Sequence, residues 1–406
     1  MTTTGATHAS AMGGHGQEHC PFMPTYGAPP ALFVSGEGPW LTDLAGKRYL
    51  DFLCGLAVTG LGHAHPEVTE AIASQAATLT HVSNLFANQP AADLAARIDH
   101  LLGGGGQLFM CNSGAEANEA ALKLARRWGG PGRSTIMATW GGFHGRTMGA
   151  LAATGQPAKQ EPFLPLPEGF RHATYGDVAD LERQVDPTTC AVLVEPIQGE
   201  GGVIVPPEGY LTELRRLCDE RDLLLMIDEV QTGLGRTGDW FGFQHESVQP
   251  DVVTMAKALG NGMPIGACWA RQDVAGAFTP GDHGTTYGGQ PLAAAAALRT
   301  IAVLEDMDAP MLARTMGERF RAGLATLPGV AEVRGRGLLL AAELDPSLDA
   351  REVARRALDR GVIVNAVTAT AIRLAPPFIL TTDEIDEGLD LLSAALSDCL
   401  ARGDAS

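Results

Sequence analysis

The sequence predicts an α/β fold in which a mostly parallel sheet is covered by helices, joined by a smaller α+β part. Three observations carry this. Between about residues 107 and 304, short apolar runs alternate with helical stretches, the order of strand–helix–strand units. Runs such as Leu223-Leu224-Leu225-Met226-Ile227 are continuous, which marks a buried strand. A chain of 406 residues, 45% hydrophobic and 19% charged, can bury a large core and is not a disordered composition.

Residues 1–20 are rich in Thr, Gly, Ala and His without periodicity and read as a flexible tail. His15, His19 and Cys20 are metal-ligand types there, but no second cluster completes a site. From Ala31 to Val58 short strands and turns are expected, punctuated by Gly36-Glu37-Gly38-Pro39 and Ala45-Gly46-Lys47. Gly62-His63-Ala64-His65 reads as a turn before a helix, with Pro66 at the first helical position.

Glu67 to Leu102 is expected to be helical, interrupted around Val82-Ser83-Asn84-Leu85-Phe86. Four glycines, Gly103 to Gly106, then precede a strand over Gln107–Cys111. Further strands are expected near Ser134–Met137, Cys190–Glu195, Leu223–Asp228, Val252–Met255 and Ile265–Trp269, with a helix near Gly209–Glu220. Beyond Pro310 the texture changes. Ile385, Leu389, Leu392, Leu396 and Leu400 recur at helical spacing behind a Thr381–Glu384 capping box. The expected organisation is a tail (1–20), a large domain (71–309) and a small domain from both ends (21–70 and 310–406).

A formal charge of −18 disfavours nonspecific binding to nucleic acid or to an anionic membrane, so no partner of either kind is expected. Seven scattered cysteines without a C-x-x-C pair fit reduced thiols in a cytoplasmic protein better than a disulfide framework. There is neither an 18-residue apolar run nor a secretory signal pattern at the N-terminus.

Chemistry concentrates where strands meet loops, since ligands of open α/β sheets sit outside the carboxyl ends of the strands. Asp228 ends one apolar run and Lys257 follows another, at Val252-Val253-Thr254-Met255-Ala256. A desolvated lysine can form a Schiff base, and a carboxylate can keep a pyridine nitrogen protonated; pyridoxal phosphate needs both. From these residues alone, an aspartate paired with an arginine and a solvated lysine explain the pattern equally well. Cys111-Asn112-Ser113-Gly114-Ala115-Glu116 opens a helix after a strand, with Ser113 and Glu116 spaced as a capping box and the free N–H groups of an anion site. Gly141-Gly142-Phe143-His144-Gly145-Arg146-Thr147 offers a ring for stacking and a cation for bidentate carboxylate binding. Glu200 sits on the glycine-rich loop after Glu195-Pro196-Ile197-Gln198, and Thr285 and Thr286 offer hydroxyls to a phosphate.

In this order and spacing, the segments from about Phe22 to Leu400 resemble the class III (ω-amino acid) pyridoxal-phosphate aminotransferases. Asp228-Glu229-Val230-Gln231-Thr232-Gly233 with Lys257 behind it is the most specific part. His81-Val82-Ser83-Asn84-Leu85-Phe86, Cys111 to Ala120 and Phe143 to Thr147 are most similar to the acetylornithine aminotransferase branch. The resemblance implies a dimeric fold-type I enzyme with pyridoxal 5′-phosphate, acting on amino acid and 2-oxo acid substrates. Lys257 would be the Schiff-base lysine and proton carrier, Asp228 the partner of the pyridine nitrogen, and Gln231 that of the ring oxygen. Phe143 would stack on the ring. Ser113, Gly114 and Ala115 would take the phosphate, joined by Thr286 of the partner subunit. Arg146 and Thr285 would contact the acetylornithine end, and Arg373 the α-carboxylate of glutamate or 2-oxoglutarate. Glu200 would gate Arg373.

The sequence departs from the pattern at Gln290, where Asn is common, and at Gly141-Gly142 before Phe143. Such departures bear on fine substrate preference, so ornithine, succinyldiaminopimelate and 4-aminobutyrate stand beside acetylornithine as donors. A noncatalytic cofactor-binding protein is the rival of a different class, but it has no need of the lysine.

Overall fold

The computed structural model describes residues 22–403, so the tail expected over 1–20 lies outside the described residues. Among the described residues, fifteen strands form three sheets. The N-terminal strands β1 (Phe33–Glu37), β2 (Trp40–Asp43) and β3 (Arg48–Asp51) form an antiparallel meander. The central sheet contains β4 (Gly106–Cys111), β5 (Thr135–Thr139), β6 (Phe170–Ala173), β7 (Thr189–Val194), β8 (Leu224–Asp228), β9 (Val252–Met255) and β10 (Gly266–Arg271). The C-terminal strands are β11 (Val330–Arg336), β12 (Leu339–Leu344), β13 (Val362–Ile363), β14 (Asn365–Ala366) and β15 (Ala371–Leu374).

The central order is β4-β10-β9-β8-β7-β5-β6, and only β10 runs against its neighbours. The mostly parallel sheet is as the sequence predicts. Alternate residues of β8 explain its unbroken apolar run: Leu225 and Ile227 join one core, Leu224 and Met226 the core on the other face. Helices cover both faces, so every position is buried and period-two alternation vanishes. Strand β6 was not foreseen in the sequence. It is a four-residue edge strand, Phe-Arg-His-Ala, whose first three residues are only half-buried. Two polar side chains there dilute the apolar signal.

Helices over Pro66–Thr78 and Gln89–Leu101 match the expected interrupted pair, with Pro66 at the start. In the turn before the first of these helices, His63 Nε2 hydrogen-bonds Asp51 Oδ2 at 2.9 Å. The Thr381–Glu384 capping box closes in both directions, Thr381 N–H donating to Glu384 Oε2 (2.9 Å) and Glu384 N–H to Thr381 Oγ1 (3.2 Å). It opens the helix Thr382–Gly403. The two chain ends meet in one sheet, since β13 pairs in parallel with β3. Trp40 Nε1 also donates to Glu384 Oε1 at 2.9 Å.

Gly388 sits inside that last helix because the helix lies directly on Phe52. A Cβ at Gly388 would stand 2.1 Å from Phe52 Cζ, and Phe52 is fully buried against Phe320. Two effects therefore oppose each other in Gly388→Ala. Helix propensity favours alanine by about 1 kcal/mol, while overpacking a rigid core costs roughly 1–3 kcal/mol. The clash should win, so Gly388→Ala is expected to lower the denaturation midpoint; a rise would mean that the Phe52 contact is looser than described.

Candidate active site

Asp228 and Lys257 arrive together because β8 and β9 are parallel neighbours, with Asp228 opposite Thr254. Asp228, 3% exposed, is held on both oxygens. Its Oδ1 accepts the Val230 N–H at 3.0 Å. Its Oδ2 accepts Asn118 Nδ2 and His144 Nδ1, each at 2.8 Å. Asn118 also donates to His144 O (2.7 Å) and accepts from Thr254 Oγ1 (2.8 Å), so one amide ties three segments together. Burial pushes the His144 pKa down, but its hydrogen bond to Asp228, that carboxylate's charge and Glu195 outweigh this and raise it.

Lys257 begins a short 3₁₀ turn, Lys257–Gly260, directly beyond β9. Its φ of 46° is left-handed, a conformation that costs a non-glycine residue about 1–3 kcal/mol and that gathers at functional sites. Burial lowers the proton affinity of its amine, and the like charge of Arg373 adds to this against Glu200, Asp228 and Glu195. The ammonium is thus easier to deprotonate than an ordinary lysine's.

Glu200 and Arg373 are paired, Arg373 Nη1 to Glu200 Oε1 at 2.5 Å. Arg373, on β15, is 1% exposed; Nη1 also reaches Gln231 Oε1 (3.2 Å) and Nη2 reaches Asn365 Oδ1 on β14 (2.8 Å). Burial alone would raise the Glu200 pKa, but Arg373 more than offsets it and holds the carboxyl below its usual range. Gly199 is needed for this packing, since a Cβ there would lie 1.7 Å from Gln231 Oε1.

Ser113 caps the helix Gly114–Gly129, its Oγ accepting the Glu116 N–H at 3.2 Å. The expected capping box is only half-formed. Glu116 Oε2 turns instead to Asn112, accepting from its backbone N–H (3.0 Å) and its Nδ2 (2.7 Å). The Gly114 and Ala115 N–H groups belong to the first turn, which has no preceding helical carbonyls to bond. A Cβ on Gly114 would meet Val230 Cγ1 at 2.7 Å, so glycine lets the helix end close on the loop after Asp228.

A cavity of about 400 Å³ gathers most of the expected residues. Asp228, Gln231 and Lys257 line one part of it, and Ser113, Gly114 and Ala115 another. Phe143, Arg146 and Glu200 complete the wall, with Arg373 directly behind Glu200. Thr285 and Thr286 are not brought there. Thr285 Oγ1 accepts from Asn112 Nδ2 at 3.1 Å, and Thr286 is exposed on the surface.

Sequence reasoning assigned no role to Asn118, His144, Glu195 or Lys159. Asn118 left a signal, being polar amid the buried alanines Ala117, Ala120 and Ala121. Glu195 directly follows the buried strand β7, much as Asp228 ends β8. Burial, with the charge of Asp228 and against that of His144, pushes its carboxyl up to about 7. Lys159 left none; its Nζ lies 5.6 Å from the Phe143 ring centre, with the Arg146 guanidinium at 5.7 Å.

A lysine of lowered proton affinity, sharing a cavity with an anchored acid and a helix end able to hold phosphate, is what pyridoxal-phosphate chemistry requires. The sheet is that of the fold-type I enzymes which use this cofactor. Comparison narrows the class. The aminotransferase class-III family model matches residues 23–396, and the chain belongs to that family. The chain is similar to the acetylornithine aminotransferase of Corynebacterium efficiens, with 50% identity over 384 residues covering 92% of this chain and 94% of that protein. The Mycolicibacterium smegmatis acetylornithine aminotransferase is 49% identical, covering 92% and 95%. Among solved structures, ornithine aminotransferase from Toxoplasma gondii superposes with a TM-score of 0.89 at 34% identity, covering 94% and 93%.

Beside Asp228, Glu229 is buried with Oε2 on the Thr232 hydroxyl (2.5 Å) and Oε1 on the Phe243 N–H (2.9 Å). Burial pushes its carboxyl up to about 7 from 4.5. Its contribution to stability is present below about pH 4.5 and is lost as pH rises through 7. Glu229→Gln keeps the Phe243 N–H bond on its oxygen, turns its NH₂ to donate to the Thr232 hydroxyl, and does not titrate. Relative to wild type, the variant should gain up to about 3 kcal/mol between pH 4.5 and pH 8. Urea titrations across that range check this, and parallel curves would reject it.

Proposed function

We infer that this protein moves the δ-amino group of N-acetylornithine to 2-oxoglutarate, giving N-acetylglutamate 5-semialdehyde and glutamate, a step of arginine biosynthesis. The observation that carries it is the Glu200–Arg373 pair in the same pocket as Lys257 and Asp228. A buried arginine stripped of its carboxylate is strongly destabilising, by about 3–5 kcal/mol. Arg373 therefore needs an acid at every stage. With a donor whose reacting amine has no carboxylate nearby, Glu200 supplies it. With a 2-oxo acid, the substrate's own α-carboxylate replaces Glu200, so one pocket serves two unlike substrates in turn.

The residues present fit pyridoxal 5′-phosphate. Ser113, Gly114 and Ala115 would take its phosphate, Phe143 one face of its ring, Asp228 its pyridine nitrogen and Gln231 its ring oxygen. When bound, the cofactor supplies an electron sink for the pair left as a proton leaves the carbon bearing the amine. Lys257 would hold the aldehyde and then, released, carry that proton, a task suited to an amine whose proton affinity burial has lowered. His144 and Asn118 keep Asp228 turned toward the cavity. Arg146, exposed at its mouth, would contact the donor's far end.

We further propose a homodimer in which Thr286 of the partner subunit joins the phosphate site. Support comes from the exposed apolar patch around it: Leu85 is 86% exposed, and Phe86 and Tyr287 are also exposed. Asn84 Nδ2 ties this patch to Thr285 O and Gly288 O, both at 3.1 Å. The ends of the chain, 21–70 and 310–406, are proposed to act as one small domain beside the large one at 71–309. Five of the six cysteines among the described residues are buried and all six are free, which supports a cytoplasmic setting. Among the described residues no helix is long and apolar enough to cross a membrane.

The direct test is a single-turnover spectrum of the cofactor-loaded protein with acetylornithine, ornithine and 4-aminobutyrate. Acetylornithine should convert the cofactor to its amine form fastest; no spectral change with it would reject the assignment. Lys257→Ala should remove the visible absorbance that borohydride-fixable cofactor gives and slow turnover by about 10³-fold or more. Arg373→Lys loses the fork that grips a carboxylate, so KM for 2-oxoglutarate should rise about tenfold with little change in the first half-reaction. Equal effects on both halves would deny Arg373 its selective role.

A further inference from the structure

Glu195 follows directly on β7. It is 6% exposed, yet both oxygens are taken by backbone donors from different loops. Oε1 accepts the Phe143 N–H at 2.8 Å, and Oε2 accepts the Gly199 N–H at 3.1 Å. One loop carries the ring-stacking Phe143; the other carries Glu200 at the very next position. Gln198 adds a second stitch between them, donating to Trp140 O (2.9 Å) and Thr139 Oγ1 (3.1 Å). The hydroxyl of Tyr175 holds the Glu195 carbonyl at 2.9 Å, so the whole residue is fixed.

The chain is thus pinned up to Gly199, whose Cα also abuts the Gln231 amide. Past that point come Glu200, Gly201 and Gly202, the last with a φ of 118° that few other residues adopt. A backbone movement that takes Glu200 off Arg373 turns between two anchors, the Gly199 peptide on one side and the Gly202 carbonyl, held by Arg334 Nε at 2.8 Å, on the other. We propose that Glu195 is the positioning residue of the Glu200–Arg373 gate, anchoring its pivot to the carboxylate that also holds the Phe143 loop. The proposal rests on the aminotransferase reading of that pair. With both carboxylate oxygens engaged by backbone N–H groups, Glu195 acts through Gly199.

Glu195→Gln keeps the volume but turns an amide NH₂ toward one of the two N–H donors, so one anchor is lost. Glutarate, a dicarboxylate that cannot react, reports by calorimetry how available Arg373 is in the cofactor-loaded protein. With the pivot loosened, Glu200 should hold Arg373 less well. Glutarate should then bind about fivefold tighter, the factor of one ordinary hydrogen bond, while KM for the amine donor rises similarly and kcat stays within about twofold. In a Glu200→Ala background the same substitution should change glutarate affinity less than about twofold, because the gate it acts through is gone. Glu195→Asp, which keeps the charge but is one methylene short, should shift glutarate binding in the same direction and carries the test if the glutamine variant does not fold. Unchanged glutarate affinity in a folded variant, or an equal shift with and without Glu200, would overturn the proposal. A wild-type protein that retains cofactor but binds no glutarate would overturn the reading of Arg373, and this inference with it. Normal wild-type binding with unresponsive variants removes only the role of Glu195.

Discussion

Two parallel strands in register decide this active site. Asp228 stands opposite Thr254 at the carboxyl ends of β8 and β9, and the chain turns sharply into Lys257 just beyond. Parallel strands end at the same edge of the sheet, so their terminal residues converge without any loop having to carry them there. The helix Gly114–Gly129 then closes on the loop after Asp228, bringing its N-terminal amides to that edge. A slip of one residue between β8 and β9 would send the acid to the opposite face.

Charge in the cavity is balanced against burial. Lys257, His144, Glu195 and Glu200 sit in the fields of charged neighbours, Asp228 and Arg373 among them, and their environments drive these four apart. The Lys257 amine is lowered, His144 is raised by its acid partner, Glu195 is raised toward neutrality and Glu200 is held down by Arg373. Desolvation acts on all of them, and a specific hydrogen-bonded partner decides where it is overruled. Among the described residues Lys257 has no such partner, and its shift follows burial.

Close approach sets the remaining detail. Gly199 under Gln231 and Gly114 under Val230 occupy places where a methyl group would collide. In each case the glycine is a condition for a neighbouring polar residue or helix end to reach the cavity.

The sequence by itself determined the mostly parallel sheet, most of its strands and the interrupted helix pair, and it singled out Asp228, Lys257, Ser113, Phe143 and Glu200 as candidates, with Arg373 named through the resemblance. Continuous apolar runs and the residues that end them are local signals, written in neighbouring positions. Edge strand β6 escaped because half-buried polar residues carry no such run. Only the tertiary structure decided that Glu116 caps to Asn112, that Asn118 and His144 hold Asp228, and that Glu195 joins two loops. Those contacts link residues up to 110 positions apart, as Asn118 and Asp228 do, and no periodicity records them. The pairing of Arg373 with Glu200, 173 positions away, could be named from resemblance but was made by the fold. Burying that arginine required an acid within reach, and only three-dimensional packing could put one there.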